Sequence, residues 1–281
     1  MQLQYKDDAL TLIESALKED LGTGDITTLS VISPDRTAHG IFKAKEDGVI
    51  CGLDLISMVY QMLSPDVDIV FHVSDGDYIH RGDVIAEVSG RAQTMLSGER
   101  VALNLVQHLS GIATATHKAV SMVEGLPVKI VDTRKTTPGM RVLEKYAVRV
   151  GGGYNHRFGL ADGILIKDNH IAAAGGITQA IQMAKKYAPH TLKVEVEVET
   201  MEQVNEALAA GADIIMLDNM SVYDMKASVD VIAGRALTEA SGNMGERDLR
   251  EVGETGVDFI SIGALTHSVK ALDISLKFTL N

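Results

Sequence analysis

The chain has 281 residues, 46% hydrophobic and 23% charged, which is enough for one large domain or two unequal ones. Its 26 Lys and Arg against 38 Asp and Glu give a formal net charge of −12, which argues against general nucleic-acid binding. We predict no membrane span, because no apolar run reaches roughly 18 residues, and no signal peptide, because the start is neither basic nor apolar. Cys51 is the only cysteine, so no intrachain disulfide can form, and we expect a cytoplasmic protein.

The N-terminal part mixes helical and strand patterns. An amphipathic helix is predicted over residues 6–19, and a turn-rich link, LGTGDITT, follows it. A second helix is predicted for LDLISMVYQMLS, which lies between runs with the alternation and the turn residues of strands. Those strand-like runs are AHGIFKAKEDGVICG, VDIVFHV and DYIHRGDVIAEVSG. We therefore predict an N-terminal α+β domain whose strands share one sheet.

A long apolar segment separates this part from the remainder. Residues 97–124 carry few charges, which predicts a largely buried helix, or a helix pair if Gly111 breaks it. After residue 127, short apolar runs alternate with helical ones, the pattern of a parallel sheet with helices outside it. Six strands are predicted: VKIVD (128–132), GILIKD (163–168), KVEVEVE (193–199), ADIIMLD (212–218), ALTEAS (236–241) and VDFISIG (257–263). We predict a (β/α) barrel, and an incomplete one because a full set of eight units is not visible.

Polar residues follow these strands, and several of the first ones are cationic. In a (β/α) barrel the active site lies at the carboxyl ends of the strands, so these residues should meet at one mouth. Arg134 and Lys135 follow VKIVD, and His156 and Arg157 lie in a loop beside glycines, where core packing does not explain them. From Lys129 to Arg157 there are seven Lys or Arg and two acids, a local net charge of +5. This predicts a small anionic substrate, because Arg and Lys both suit carboxylate and phosphate.

Carboxylates follow two of the later strands. The alternation in KVEVEVET places Glu195, Glu197 and Glu199 on one side of a strand and the valines on the other. Acids inside a barrel are costly unless they are paired or liganded. Two interpretations of Glu197 and Asp218 stay open: ion pairing with Lys167 or Lys135, or binding of sugar hydroxyls or a divalent ion such as Mg2+.

The last two predicted strands end in loops of small residues, ASGNM (240–244) and SIGAL (261–265). Their backbone N–H groups precede helices, and loops at this place in such barrels often hold phosphate. Turns also use Ser, Gly and Asn, so composition alone is a weak indication. The position after the last two strands favours a phosphate site.

Taken in order, the motifs resemble the quinolinate phosphoribosyltransferase family, also called carboxylating nicotinate-nucleotide diphosphorylase. The most specific are DTRKTTPG, from Asp132, and NHRFGLADGILIKDNH, from Asn155. The others are EDLGTGDITT, SGERVALNL, VEVEVET, IIMLDN, EASGN and GVDFISIGALTHS, and together they span residues 19–268. The resemblance implies a small N-terminal α/β sandwich domain and an incomplete, seven-stranded (β/α) barrel. We place the sandwich in residues 1–110 and the barrel in 111–270, and expect residues from about 270 to 281 to pack back on the sandwich.

The resemblance also implies the reaction and the partners. Phosphoribosyl transfer from 5-phosphoribosyl 1-diphosphate to quinolinate, with decarboxylation, would give nicotinate mononucleotide, diphosphate and CO2 for NAD biosynthesis. Mg2+ would be required and no organic cofactor. The implied active unit is a homodimer with shared sites, into which Arg100 enters from a second subunit; assembly into a hexamer stays open.

Roles for individual residues follow from the same resemblance. The implied catalytic residues are Lys135, Lys167, Glu197 and Asp218, of which the two carboxylates would hold the ribose hydroxyls and the metal. Quinolinate would contact Arg134, His156, Arg157 and Lys167, with Lys135 shared between quinolinate and diphosphate, and Thr133 is a further substrate-binding residue. The 5-phosphate would be held by Ser241, Gly242, Asn243, Met244, Gly263, Ala264 and Leu265. Asn243 stands where many family members carry Gly, and a similar backbone role is expected of it.

Three rival functions remain. A phosphoribosyltransferase for nicotinate or another aromatic acid would need fewer cations than the set above. A lyase could form a Schiff base on Lys167. A carrier domain is the third, because SDGDYIHRGDVIAEVSG resembles the turn pattern of lipoyl domains, but it lacks the Lys that such domains modify.

Overall fold

The computed structural model describes residues 3–280. Its helices are α1 (Leu3–Leu21), α2 (Ile26–Val31), α3 (Leu53–Leu63), α4 (Ala92–Met122), α5 (Arg141–Val150), α6 (Asp168–Ala174), α7 (Ile177–Tyr187), α8 (Met201–Ala209), α9 (Val222–Ile232), α10 (Leu249–Glu254) and α11 (Ala264–His267), with a 3-10 turn at Met244–Glu246. Its strands are β1 (Thr37–Ala44), β2 (Gly48–Val49), β3 (Asp68–Phe71), β4 (Tyr78–Ile79), β5 (Val84–Arg91), β6 (Lys129–Val131), β7 (Ile164–Ile166), β8 (Val194–Val198), β9 (Ile214–Asp218), β10 (Leu237–Ser241), β11 (Phe259–Ser261) and β12 (Ile274–Leu280). None of the helices in this part of the chain combines the length and the apolar character needed to cross a membrane.

Contacts group the chain into two units. The first comprises Met1–His117, Thr137–Gly152 and Ser268–Asn281, and the second comprises Lys118–Thr136 and Gly153–His267. The predicted boundary after residue 110 therefore falls inside α4, and residues 137–152 group with the N-terminal part. The predicted ranges stay a prediction about folding units, because contact grouping and independent folding are different properties.

The first unit is built on a four-stranded antiparallel sheet with the order β12-β1-β5-β3. The C-terminal strand β12 pairs with β1 along its whole length, from Ala38 opposite Leu280 to Ala44 opposite Ile274. Strand β12 therefore covers an edge of the sheet that would otherwise present unpaired N–H and C=O groups. The predicted strands and the predicted second helix, α3, are present, but the expectation that the strands share one sheet is wrong, because β2 and β4 pair with each other in a separate two-stranded sheet.

The long apolar segment forms one continuous helix, α4, and Gly111 does not break it. A Cβ atom added at Gly111 would lie 2.3 Å from the Lys270 carbonyl oxygen, far inside van der Waals contact. Gly111 therefore permits the close approach of the segment before β12 to the helix, which is a packing role and not a breaking one.

The second unit contains a parallel sheet of six strands in the order β6-β11-β10-β9-β8-β7. All six predicted strands are confirmed, with helices between them as the alternation indicated. An isolated parallel bridge between Val131 and Tyr154 adds a seventh extended segment on the free side of β6. The sheet with this bridge agrees with the implied seven strands.

The sheet is curled, as a contact across it shows. His156 follows the bridge at the β6 edge, yet its Nε2 atom lies 3.1 Å from a carboxylate oxygen of Glu195 on β8. In a flat sheet, β6 and β8 would be four strand spacings apart, roughly 19 Å. Only a barrel-like curl brings these residues together. Within residues 3–280 no ladder joins β7 to β6, so the barrel is open there.

Candidate active site

The carboxyl ends of β6 to β11, with the loops that follow them, are called the rim here. Lys167 follows β7 and forms an ion pair with Glu197 of β8. Asp218 ends β9 and lies opposite Ser241 at the end of β10. Parallel register thus places an ammonium and two carboxylates on three consecutive strands. The ion pair realises one of the two interpretations given for Glu197, and it leaves the metal interpretation of Asp218 open.

Lys135 lies over the loop that follows β11. Its backbone oxygen accepts a hydrogen bond from Thr266 Oγ1 at 2.8 Å, and its N–H donates to Thr133 Oγ1 at 3.1 Å. A Cβ atom added at Gly263 would lie 3.0 Å from Lys135 Cδ. The absence of a side chain at Gly263 therefore gives the lysine stem its path. Sequence reasoning did not single out Thr266, whose role as an anchor is visible only from the fold.

The two loops expected to hold phosphate are neighbours on the rim. A Cβ atom added at Gly245 would lie 2.9 Å from the Ala264 Cβ atom, so the loop after β10 touches the loop after β11. The side chains of Met244 and Leu265 are buried, which leaves their backbones for any contact with a ligand. Both loops therefore meet a ligand mainly through main-chain groups and small side chains.

Backbone conformation explains the residue choice in the loop after β10. Asn243 has φ 51°, in the left-handed region where Asn is among the few tolerated non-glycine residues. Gly242 has φ 95°, and a Cβ atom added there would lie 2.3 Å from Asn219 Oδ1. Asn243 therefore keeps the backbone path that a glycine would take, and its contact with a phosphate stays a prediction.

His156 and Arg157 lie below the rim, in the barrel interior. His156 Nε2 is 3.1 Å from Glu195 Oε2 and 3.6 Å from Glu239 Oε2, and both glutamates are almost fully buried, at 4% and 3% exposure. Asp132, which is 0% exposed, accepts the His156 N–H at 2.8 Å. These four residues, His156, Glu195, Glu239 and Asp132, are called the interior cluster. Burial and the neighbouring Glu195 raise the pKa of Glu239 to about 7, and His156 opposes the rise.

The interior cluster has the spacing of a metal site, because one ligand atom each of His156, Glu195 and Glu239 lie within 4.8 Å of one another. The histidine tautomer argues against that use. The Arg157 N–H donates to His156 Nδ1 at 2.7 Å, so Nδ1 carries a lone pair and the ring proton is on Nε2. A protonated Nε2 has no lone pair for a metal, but it is a good donor to the carboxylates it faces. The cluster is therefore a hydrogen-bonded one.

Arg157 lines a cavity of about 390 Å³ with His156 and the two glutamates. Other walls come from Lys193, Ile214 and Phe259, at or just before the beginnings of their strands, and from Val131 at the end of β6. The guanidinium donates to the Gly163 carbonyl at 2.9 Å. Burial and the nearby Arg134 lower the pKa of Arg157, while Glu195 and Asp162 oppose this. The positive charges of the two neighbouring guanidinium groups repel each other, and a bound anion would reduce that repulsion.

The structure thus divides the predicted site residues into two layers. Lys135, Lys167, Glu197, Asp218 and the two small-residue loops lie on the rim, whereas His156 and Arg157 lie in the interior. Arg100 is exposed on α4 in the first unit. Asp132, Glu195 and Glu239 were not among the predicted site residues. The inward side of the KVEVEVET alternation was the available signal for Glu195, and no pattern indicated that His156 would bind it.

The fold and the site define an α/β-barrel enzyme with an ion-rich site for small anionic substrates. Comparison with known proteins makes this specific. The model of the quinolinate phosphoribosyl transferase C-terminal domain matches residues 112–277, and that of the N-terminal domain matches residues 25–110. The chain therefore belongs to the quinolinate phosphoribosyltransferase family.

Individual relatives are similar over nearly the whole chain. A probable carboxylating nicotinate-nucleotide pyrophosphorylase of Bacillus subtilis is 50% identical over 96% of this chain and 93% of its own length. The chloroplastic carboxylating enzyme of Arabidopsis thaliana is 45% identical, over 96% of this chain and 82% of its own. The structure of the nicotinate-nucleotide pyrophosphorylase from Francisella tularensis superposes with a TM-score of 0.93 at 41% identity, covering 97% and 96% of the two chains.

Proposed function

We propose that the chain transfers the phosphoribosyl group of 5-phosphoribosyl 1-diphosphate to quinolinate, with loss of CO2, and so makes nicotinate mononucleotide for NAD biosynthesis. The observation that carries the proposal is the similarity, over nearly the full length, to relatives named as carboxylating enzymes of this reaction. Neither a Schiff-base lyase nor a carrier domain is favoured by these relatives. The ion pair between Lys167 and Glu197 also argues against a lyase, because an ion-paired ammonium is not a nucleophile.

Quinolinate carries two carboxylates, and the charges in the second unit suit it. Arg134 is close enough to lower the pKa of Arg157, and Lys167 stands on the rim. Thr133 and Lys135 lie in the loop after β6, where the Lys135 N–H donates to the Thr133 hydroxyl. In this proposal Arg134 and Arg157 meet the ring carboxylates, and Lys135 meets both quinolinate and diphosphate. A single carboxylate, as in nicotinate, would leave cations unmatched.

The ribose and its phosphates belong to the remainder of the rim. Glu197 and Asp218 would hold the ribose hydroxyls, and Ser241 to Met244 with Gly263 to Leu265 would hold the 5-phosphate. Half-buried carboxylates on adjacent strands are also ligands of the kind that Mg2+ prefers. When bound, Mg2+ would neutralise charge on the diphosphate.

The residue types fit the bonds that change. As diphosphate leaves, ribose C1 becomes cationic, and the carboxylates of Glu197 and Asp218 favour that charge. The pyridine nitrogen then bonds to C1 and becomes positive. The bond to the adjacent carboxylate breaks, CO2 leaves, and its electron pair stays on the ring carbon, stabilised by the positive nitrogen until a proton arrives. Lys135 favours the departing diphosphate in the first step, and Lys167 holds the quinolinate.

We further propose a homodimer of the cytoplasm with shared sites, in which the exposed Arg100 of one subunit enters the site of the other. Its exposure leaves Arg100 available to a second chain. The single, buried Cys51 suits a reducing compartment. The net charge of −12 argues against a nucleic-acid partner.

One assay tests the reaction. The protein is incubated with the phosphoribosyl diphosphate, Mg2+ and quinolinate labelled at the 2-carboxylate, and labelled CO2 and nicotinate mononucleotide are measured. Nicotinate replaces quinolinate in a parallel reaction. Equal amounts of both products are expected from quinolinate and little from nicotinate. Product from nicotinate alone would replace the proposal with the rival phosphoribosyltransferase.

A mixing experiment tests the shared site. Arg100→Ala and Lys167→Ala proteins, each inactive, are combined under conditions where subunit exchange is confirmed by mass spectrometry. Hybrid dimers would contain one intact site, so about a quarter of wild-type activity should return at equal mixing, by the statistics of random pairing. No recovery would remove the shared site without affecting the proposed reaction.

A further inference from the structure

The segment from Asn155 to Gly159 has no regular secondary structure, and side chains determine its path. The His156 N–H donates to Asp132 Oδ1 at 2.8 Å, and Asn155 Nδ2 donates to Asp132 Oδ2 at 2.7 Å. The Phe158 N–H donates to Asp162 Oδ2 at 2.5 Å. Between these two aspartates, the Arg157 N–H has a side-chain acceptor of its own, the His156 ring. The position of Arg157 therefore depends on the orientation of that ring.

The ring is oriented from its other side by the glutamates. With Nδ1 accepting from Arg157, the proton on Nε2 points at Glu195 Oε2, 3.1 Å away, and Glu239 Oε2 is 3.6 Å away. Rotation of the imidazole by 180° would place a C–H group opposite the carboxylates and break both contacts. The two glutamates thus select one tautomer and one ring orientation.

Folding alone does not explain two inward glutamates. Each is at most 4% exposed, and each has a second oxygen, Oε1, that is buried without a hydrogen-bond partner among the described residues. Burying such groups is unfavourable, and apolar residues of similar volume would pack the barrel interior at lower cost. A pair of this kind is expected where a side chain must be held in place.

We infer that Glu195 and Glu239 are positioning residues: they hold the His156 ring, the ring holds the Arg157 main chain, and the Arg157 guanidinium is thereby placed to meet a quinolinate carboxylate. This inference rests on the proposed function for the identity of the anion. Gly163 completes the arrangement, since a Cβ atom there would lie 3.1 Å from Arg157 Cβ, and its carbonyl accepts from the guanidinium. The effect of the glutamates should therefore be specific to the acid substrate.

Steady-state kinetics of four variants test the inference. In Glu195→Leu, and more in the double variant with Glu239→Leu, the KM for quinolinate should rise about tenfold or more, a loss of about 1.4 kcal/mol per factor of ten. The KM for the phosphoribosyl diphosphate should change less than twofold, because the rim residues are untouched. Glu195→Gln keeps an oxygen acceptor for Nε2–H and should recover most of the affinity.

The control is Thr238→Val on β10, the residue before Glu239, whose hydroxyl donates to Asp258 Oδ2 at 2.9 Å and accepts from the Asp258 N–H at 3.1 Å; the substitution removes both hydrogen bonds and keeps the interior cluster's side chains. It should lower the melting temperature and leave both KM values unchanged. If the double Leu variant keeps the wild-type KM for quinolinate, the inference is wrong. It is also wrong if both KM values rise together, because that result describes general structural damage.

Nitrogen NMR of histidine-labelled protein gives a readout that does not depend on activity. With His156→Gln used to assign the signals, wild-type His156 should show an unprotonated Nδ1 and a protonated Nε2, and the double Leu variant should lose this fixed tautomer. The opposite tautomer in the wild type overturns the inference. If the wild type makes no nicotinate mononucleotide, the proposed function fails, and this spectrum still decides whether the glutamates orient the ring.

Discussion

Lys167 and Glu197 form an ion pair across the carboxyl ends of two adjacent strands of the barrel. The lysine is about half exposed and the glutamate is largely buried, so the pair places a buried carboxylate below an ammonium that solvent can reach. Under the proposed function, a dianionic substrate that arrives from solvent would meet the ammonium first. The carboxylate below it would then be available to the ribose, so that one contact would join the two substrate sites.

Loss of Lys167 should therefore affect activity much more than stability. We expect Lys167→Ala to lower kcat/KM for quinolinate by about 100-fold or more, roughly 2.7 kcal/mol of transition-state stabilisation. The comparison variant is Lys226→Ala, which breaks an exposed ion pair with Asp230 on α9 and should change neither activity nor melting temperature. Equal activity of the two variants would show that the rim pair has no part in the reaction.

A methyl group at Gly263 should disturb Lys135. In Gly263→Ala the new Cβ would lie 3.0 Å from Lys135 Cδ, so the flexible lysine stem must move. We expect the KM for the phosphoribosyl diphosphate to rise about tenfold, a smaller increase than in Lys135→Ala. The melting temperature should stay within about 2 °C of wild type. If Lys135→Ala itself retains full activity, the role given to this lysine is wrong.

Asp218 should control the response to Mg2+. Its Oδ2 accepts a hydrogen bond from Asn219 Nδ2 at 2.6 Å, which fixes the carboxylate at the end of β9. Chelation of Mg2+ should abolish product formation, and Asp218→Asn should need about tenfold more Mg2+ for half-maximal rate, because a neutral amide is a weaker ligand. An unchanged Mg2+ titration in Asp218→Asn, with lower kcat, would instead assign Asp218 to the ribose alone.

Glu239 should make stability depend on pH. Burial raises its pKa from 4.5 to about 7, so between these values the folded chain keeps a proton that the unfolded chain has lost. The free energy of unfolding therefore falls as pH rises through this window. Above it, the stabilisation that comes from protonated Glu239 is lost. Glu239→Gln resembles the protonated acid, so its stability relative to wild type should improve by about 3 kcal/mol between pH 4.5 and pH 8.

Urea unfolding of both proteins at the two pH values measures this difference. Glu251→Gln, at an exposed position on α10, is the matched control and should show no such trend. A difference between Glu239→Gln and wild type that is the same at both pH values would contradict a raised pKa for Glu239.

Much of the second unit could be predicted from local pattern. Each of the six parallel strands was recognisable because buried strands are short apolar runs, and their polar ends marked Lys167, Glu197 and Asp218. Parallel strands begin and end in register, so a strand's last residue is a rim residue by topology alone. The small residues at Gly242 and Gly263 were likewise indicated, because loops that turn tightly need them.

The tertiary structure decided the rest, because it depends on contacts between residues distant in sequence. Whether Gly111 would break a helix or admit a neighbouring chain depended on Lys270, far along the sequence. His156 was expected at the mouth with the other cations, but the curl of the sheet brings it to Glu195 in the interior. Local sequence thus determined the strands and the charges at their ends, whereas the curvature of the barrel determined which charges meet, since curvature is a property of the whole sheet.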